Sequence, residues 1–467
     1  MKKCFLLFTM MLATTMGLLA QGTTWETATL IGNGSTKTGT LDNVTTEQWY
    51  KINVTTEGTV NFTATATQTL TFYAYYCTFN GYKNDNIYSR GSFTGNSSSS
   101  STTTEVTFQA TDVGKGTYYI RIRRYAGTGS YTLKYTFTES PTPNDSEPNN
   151  EYTSAKLIAS GSTVPGRIGY RTSDDVTDTD DWYKIVVPEE GQIELMATAT
   201  GSARFYPYYC TVNGYKNNNI YSRGSFTGNT SSASQTDTIT FKATDIGAGT
   251  YYIRISRYPS TGSGGYYLSY RFTPCPMAAD PEPNNEYQRY CRLLNGKTTQ
   301  GRMGYRTSDD VTDTDDWYRI IVPKDGPVDI KVTATETLKL YPYESKICRI
   351  QDNNIYNVSS FTGNNSSSTS DTLTYQNNNM AAGVYYIKIH RYSGSGGYKI
   401  TYNGPISDIP GDVDGDGEVG IADISELTDF LLSGTSTGGT LANGDADGDG
   451  QITIADITAL IDKLLGN

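Results

Sequence analysis

A mainly β chain is what this sequence predicts: three tandem β-sandwich (jelly-roll-like) domains, then a small α-helical domain. Three observations carry the prediction. Tyrosine numbers 38 and glycine 47 among 467 residues, with only 18% charged, a mix that favours strands and polar turns over helical bundles. One long segment recurs three times. The last stretch holds two copies of an acidic loop, each running into residues of helical periodicity.

A chain of this length exceeds one hydrophobic core, so several domains are expected. The formal net charge of −11 argues against a nucleic-acid partner, whose phosphates demand a basic surface. At the start, Lys2 and Lys3 precede an apolar run from Phe5 to Leu19, and Ala20-Gln21 offers a cleavage point; residues 1–20 read as an export signal. No later segment is long and apolar enough to span a bilayer. Beyond the signal lie Cys77, Cys210, Cys275, Cys291 and Cys348, an odd number that cannot all pair within one chain. Cys77 and Cys210 share a repeat position and read as buried thiols. The other three cluster around the third repeat, where one disulfide is compatible with export.

The segment Asn86-Ile87-Tyr88-Ser89-Arg90-Gly91-Ser92-Phe93-Thr94-Gly95-Asn96 returns at Asn219 through Asn229, and Trp49-Tyr50 returns as Trp182-Tyr183. The third copy has Trp317-Tyr318, Asn354-Ile355-Tyr356 and Ser360-Phe361-Thr362-Gly363-Asn364. So long a period indicates separate domains of one fold, not a solenoid. The expected domains are 21–140, 145–274 and 280–404, with 408–467 as the terminal unit. Val60–Ala64 and Ile193–Ala197 alternate as strands. Tyr118–Tyr125 and Tyr131–Tyr135 alternate around Gly127 and Gly129 and read as a closing hairpin. The serine run 97–101 reads as an exposed loop.

The second and third copies open on Glu147-Pro148-Asn149-Asn150-Glu151 and Glu282-Pro283-Asn284-Asn285-Glu286. Later in each come Asp178-Thr179-Asp180-Asp181-Trp182-Tyr183 and Asp313-Thr314-Asp315-Asp316-Trp317-Tyr318. With the closing G-x-Y-Y-I-R/K-I strand, residues 24–403 resemble bacterial pre-peptidase C-terminal domains, secreted β-sandwiches akin to the collagen-binding domains of clostridial collagenases. That resemblance implies calcium at Glu147, Asn149, Asp178 and Asp181, and again at Glu282, Asn284, Asp313 and Asp316. The first copy has Thr46-Glu47-Gln48-Trp49 instead, and no calcium is expected there.

The terminal loops read Asp412-Val413-Asp414-Gly415-Asp416-Gly417-Glu418 to Asp423, and Asp445-Ala446-Asp447-Gly448-Asp449-Gly450-Gln451 to Asp456. Carboxylates at positions 1, 3, 5 and 12, glycine at 6 and a carbonyl at 7 (Glu418, Gln451) form a calcium pattern, with Asp at position 12 where a standard EF-hand has Glu. Ile424, Leu427, Phe430 and Leu431, then Ile457, Leu460, Ile461 and Leu464, mark the following helices. Two such units in tandem resemble a dockerin, the calcium-folded tag that plugs components into cohesin domains of a scaffold. The resemblance implies that Ile421-Ala422 and Ile454-Ala455, at loop positions 10 and 11, meet the cohesin; being identical, either unit is expected to serve.

No catalytic constellation is legible. The one histidine, His390, sits on an alternating strand and reads as a surface residue. The Tyr- and Asn-rich block Tyr206–Tyr209 and Gly214–Arg223 reads as half-buried strand tyrosines, the alternative being a surface on which sugar rings stack. The expectation is therefore a secreted, non-catalytic modular protein: β-sandwiches that bind or space, attached through calcium and a cohesin to a polysaccharide-degrading assembly. Two alternatives stay open: an adhesin for host glycan or matrix protein, and a hydrolase using an unfamiliar acid pair.

Overall fold

The computed structural model describes residues 22–96, 102–145, 147–229, 235–365, 368–434 and 441–466. The expected export signal at 1–20 and the serine run 97–101 lie outside them. Each repeat folds as two facing sheets. In the second, one sheet runs in spatial order Lys156–Leu157, Asp180–Val187, Gly249–Ser256, Thr211–Lys216, Asn219–Ser225. The other runs Thr163–Ile168, Gly264–Pro274, Gly191–Ala199, Thr238–Ile246, Thr227–Gly228. The first and third repeats keep this order and add one short strand each, Thr71–Phe72 and Lys339–Leu340. Alternation sets the faces: in Gly191–Ala199, Ile193, Leu195 and Ala197 are buried while Glu194 and Met196 point outward. Ile185, Ile253, Phe205, Phe226 and Tyr266 close the same core.

One expected element is corrected. Gly116–Ala126 and Gly129–Glu139 are consecutive but lie in opposite sheets. The first pairs with Glu47–Val54 and Thr78–Lys83, the second with Thr36–Leu41 and Gly58–Ala66. Each strand is hydrogen-bonded along both edges, so neither has an edge left for the other. Gly127, at φ +68°, lets the chain cross from one sheet to the facing one.

The five described cysteines are free thiols, so no disulfide joins Cys275, Cys291 and Cys348. Cys77 and Cys210 are buried, and each sulfur accepts a backbone N–H, from Arg123 (3.2 Å) and Ser256 (3.1 Å). Ser345 does the same in the third repeat, accepting from His390 N at 3.0 Å. The position needs a small acceptor rather than a thiol.

Consecutive repeats meet through one recurring joint. Gly114 N donates to Arg171 O and Arg171 N to Asp112 O; Gly247, Arg306 and Asp245 repeat this between the second and third repeats. Arg90 donates to Arg171 O (2.8 Å) and Arg223 to Arg306 O (3.0 Å), while the Tyr88 and Tyr221 hydroxyls donate to Ser173 O and Ser308 O. Arg167, almost wholly buried, reaches Glu57 (2.9 Å) and Glu139 (3.1 Å); Arg302 reaches Glu189 (2.8 Å) and Glu190 (3.1 Å). The repeated Asn-Ile-Tyr-Ser-Arg-Gly motif is thus joint-forming. In the third repeat, where no β-repeat follows, Val358 stands in place of that arginine and is exposed.

The terminal unit comprises α1 (Ile421–Ser433) and α2 (Ile454–Leu465), packed through Val413, Leu427 and Leu460 with Val419, Ile424, Ile452 and Ile457 around them.

Replacing Arg167 by Ala leaves Glu57 only the longer ionic contact to Lys115 (3.6 Å) and leaves carbonyls unpaired, weakening the joint by about 3 kcal/mol, as for a broken buried pair. Small-angle scattering of the full chain should show a longer, broader distance distribution. Val358→Arg should leave the distribution unchanged.

Candidate calcium sites

Four groups of carboxylates converge among the described residues: Asp412, Asp414 and Asp423; Asp445, Asp447 and Asp456; Asp145, Glu147 and Asp181; Asp280, Glu282 and Asp316. Within each group the ligand-type oxygens lie within 4.8 Å of one another.

In the terminal loops, the position-12 aspartates organise the backbone. Asp423 Oδ1 accepts from Val413 N (2.7 Å) and Asp414 N (2.9 Å), and its Oδ2 from Gly420 N (2.6 Å). Asp456 repeats the set with Ala446, Asp447 and Thr453. An aspartate therefore caps the helix and pins the loop at once. Gly417 and Gly450, at position 6, take φ +83° and +85°, the turn that brings position 7 round with its carbonyl. Burial, then the Asp416 and Asp423 carboxylates, pushes Asp414 up to about 7. Burial raises Asp412 too, and its Oδ1 is enclosed without a partner. Asp456 also feels burial, but the N–H groups of Thr453, Asp447 and Ala446 outweigh it and hold its carboxyl below the usual range. Asp416 and Asp449 border the groups: Asp416 Oδ1 accepts from Glu418 N and Asp449 Oδ1 from Gln451 N. The Glu418 side chain itself turns outward, 3.9 Å from Arg319. An enclosed, unpaired oxygen among carboxylates that repel one another is what a hard cation would satisfy, and the donor set fits calcium.

In the β-repeats, a leading arm and a strand entry build the sites. Asn149 N donates to Glu147 Oε2 (2.9 Å) and Asn284 N to Glu282 Oε2 (2.9 Å). Their side-chain amides point Nδ2 at Asp145 (3.4 Å) and Asp280 (2.5 Å). That leaves Asn149 Oδ1, Asp181 Oδ1, Asn284 Oδ1 and Asp316 Oδ1 fully buried with no hydrogen-bond partner. Asp178 and Asp313 line the same cavities, each receiving the amide nitrogen of the adjacent Asn150 or Asn285 (3.0 and 2.7 Å). Burial and then neighbouring carboxylates, Asp178 and Asp313 first, raise Asp181 and Asp316 far above the usual range. Burial, then Glu282 and Asp280, pushes Asp313 up to about 8. The orphaned oxygens again fit a calcium ion. Sequence reasoning missed Asp145 and Asp280. Their signal was present: in both copies an aspartate sits two residues before the Glu-Pro-Asn-Asn motif. Each also accepts the backbone N–H of the joint arginine, Arg167 or Arg302, which ties the cavity to the joint.

The first repeat keeps the framework without the charge. Tyr131 donates to Gln48 Oε1 at 2.6 Å and lies 2.8 Å from the Tyr50 hydroxyl. In the second repeat Tyr266 donates to Asp181 (2.5 Å) beside Tyr183 (2.7 Å). A neutral amide stands where the other copies bury an acid.

His390 is not a bare surface residue. Its Nδ1 lies 2.7 Å from Asp315 Oδ1, which Lys388 also approaches at 2.8 Å. Arg121–Glu47 and Arg254–Asp180 occupy the place of the Lys388–Asp315 pair in the other repeats, so His390 hydrogen-bonds into a structural ion pair.

The tyrosine block divides. Tyr215 and Tyr221 are strand residues packed on neighbours, as expected. Tyr206–Tyr209 lie instead on a turn, with Tyr208 71% exposed, and Tyr206 meets Tyr209 and Tyr258 edge-on at 4.5 and 5.2 Å. Equivalent clusters surround Tyr73 and Tyr341, with Tyr75 and Tyr343 exposed. A turn residue has no facing sheet to cover it, which is why strand propensity misplaced these rings.

Residues 410–465 match the family model of the dockerin type I domain. Among solved structures, the chain is similar to the pre-peptidase C-terminal domain of collagenase from Bacillus anthracis, at 16% identity over 27% of this chain and 100% of that one, with a TM-score of 0.19. It is similar to the triple jelly roll protein of an archaeal virus turret, at 10% identity over 81% and 91% of the two chains (TM-score 0.16). It is also similar to the CUB1-EGF-CUB2 domain of human MASP-1/3, at 11% identity over 52% and 98% (TM-score 0.15).

The buried acids hold protons more tightly folded than unfolded. Calcium-free stability should therefore fall as pH rises from about 4, the unfolded carboxylate value, through about 8, the value for folded Asp313. Calorimetry in chelator should show the β-repeats melting lower at pH 8 than at pH 5. Calcium at a hundredfold excess over its dissociation constant should return about 2.7 kcal/mol per site at pH 8. Asp316→Asn should raise calcium-free stability at pH 8 and abolish the calcium increment of the third repeat.

Proposed function

We propose that this chain is an exported, non-catalytic modular protein whose terminal dockerin unit, 408–467, attaches it through calcium to a cohesin domain of a scaffold in a polysaccharide-degrading assembly. The observation that carries this reading is the tandem of two loop–helix units in one small core, within the stretch matched by the dockerin type I model. Ile421 and Ile454, at the two helix starts, are 78% and 77% exposed, and Ala422 and Ala455 beside them are exposed as well. Apolar residues so placed have no role in the core and suit a partner surface.

On this reading, 21–140, 145–274 and 280–404 are pre-peptidase-like domains. The second and third each hold one calcium ion, through Asp145, Glu147, Asn149 and Asp181 with Asp178 adjacent, and Asp280, Glu282, Asn284 and Asp316 with Asp313 adjacent. They space and present the tyrosine clusters, which suit a glycan chain or an extracellular protein. The threefold recurrence of that exposed cluster favours, as a second reading, an adhesin whose terminal unit only steadies the chain. Against a hydrolase stand the duplication of the acid clusters and the amide oxygens that converge with the carboxylates, which suit a cation better than proton transfer.

Calorimetric titration of the full chain with cohesins of the same organism tests the docking role. Tight binding in calcium that weakens at least about a hundredfold in chelator is expected, since the ligand loops fold on the metal. Binding indifferent to chelator, or binding to no cohesin, contradicts it.

A further inference from the structure

The two calcium loops are nearly identical in sequence but not in surroundings. In the first, Asp412, Asp414 and Gly415 are buried; in the second, Asp447, Gly448 and Asp449 are exposed. Asp412 is covered from within the unit, where Asn443 Nδ2 donates to Asp412 O and Ser407 O, while the third β-repeat reaches the rest of the loop from Gly415 to Glu418. Arg292 lies 2.5 Å from Asp416, Lys297 3.1 Å from Glu426, Lys324 2.5 Å from Asp408 and Arg319 3.9 Å from Glu418. Gly417 sits so close to Ile321 that a Cβ there would come within 2.7 Å of its side chain. Asn295 Nδ2 donates to Gly404 O and Pro405 O, fixing the chain that leads into the unit.

Arg292, Lys297 and Lys324 belong to this repeat alone, whereas Arg319 stands where the other copies have Lys51 and Lys184. The short strand carrying Arg292 is Thr29–Leu30 and Lys156–Leu157 in the other copies, in the same register, so leucine stands at that position twice. Lys297 corresponds to Ser35 and Ser162, and Lys324 to Thr56 and Glu189. Glu189 faces Arg302 of the following repeat, whereas Lys324 faces an aspartate. The copies have diverged where their neighbours differ, and the sign of the charge follows the neighbour.

We propose that the third β-repeat carries a docking face for the first calcium loop, so that this loop is held on the array while the second stays open to solvent and responds to calcium. The terminal unit then projects in one fixed orientation. The two loops act unequally: the first is ordered by Arg292 and its companions before any ion enters, and the second is ordered by the ion. The proposal rests on reading both loops as calcium sites but not on any cohesin.

Hydrogen exchange of the full chain, resolved by peptide, separates the two ideas. In chelator, amides of 413–418 should exchange at least about tenfold more slowly than those of 446–451, the docked segment opening less often. Calcium should then slow the second loop more than the first. The triple variant Arg292→Glu, Lys297→Glu, Lys324→Glu should bring the first loop to the rate of the second and lengthen the scattering profile. Unchanged exchange in Gly326–Ala334 of the variant would show the repeat still folded. Should the variant misfold, the wild-type difference shrinking in about 1 M salt, where the screening length is near 3 Å, reads the same contacts. Equal rates in the wild type, or a difference that survives both treatments, overturns the proposal. Loops that differ in chelator but ignore calcium would leave the docking face standing and overturn the calcium reading.

Discussion

Carboxylates withdrawn from water must meet positive charge or keep their protons, and this chain gathers them at four places, each with at least one buried member. The cost is large enough to set the architecture. Where a side chain can supply the charge, it is an arginine at a joint, as Arg167 and Arg302 do. Where three acids and an amide oxygen converge, as around Asp181 and Asp316, the acids keep their protons unless a cation enters among them. Asp181 and Asp316 are the deepest of these groups, each buried beneath a tyrosine pair that holds one oxygen and leaves the other unanswered.

The same constraint explains how three copies of one fold came to differ. Gln48 replaces the buried acid in the repeat that lacks the leading acidic arm. Val358 replaces the joint arginine in the repeat that no further β-repeat follows. Lys324 replaces Glu189 where the neighbour changes from an arginine to an aspartate. The last two positions lie where a charge meets what comes next in the chain; Gln48 lies instead beneath the buried Tyr50–Tyr131 pair, at the place of the other copies' buried acid. The cores, by contrast, keep the same alternation throughout, because each must fill the same space between two sheets.

Much of this was legible from residues alone. Alternation and recurrence announced β-sandwiches in tandem, and the spacing of aspartates announced the terminal loops, because both are local patterns with one geometric meaning. What escaped was non-local. Tyr118–Tyr125 and Tyr131–Tyr135 look like a hairpin, since sequence carries turn signals but not the identity of the sheet each strand joins. Asp145 and Asp280 went unnoticed because the arm that brings them back to Asp181 and Asp316 is ordered by tertiary contact. The Tyr-Ser-Arg motif read as half-buried strand tyrosines, a sugar surface being the alternative, and neither reading saw that it forms the joint; its loss in the third repeat was the available clue. The tyrosines on the turn at Tyr206–Tyr209 were assigned to a strand face by propensity, and no propensity records exposure.

Counting bound metal puts the central claim to its most direct test. Equilibrium dialysis of the full chain against calcium, followed by elemental analysis, should give four ions per chain, one for each carboxylate group. The double variant Asp181→Asn, Asp316→Asn should give two. Two ions in the wild type, unchanged in the variant, would show that the β-repeats tolerate their buried acids without a cation and would contradict the account.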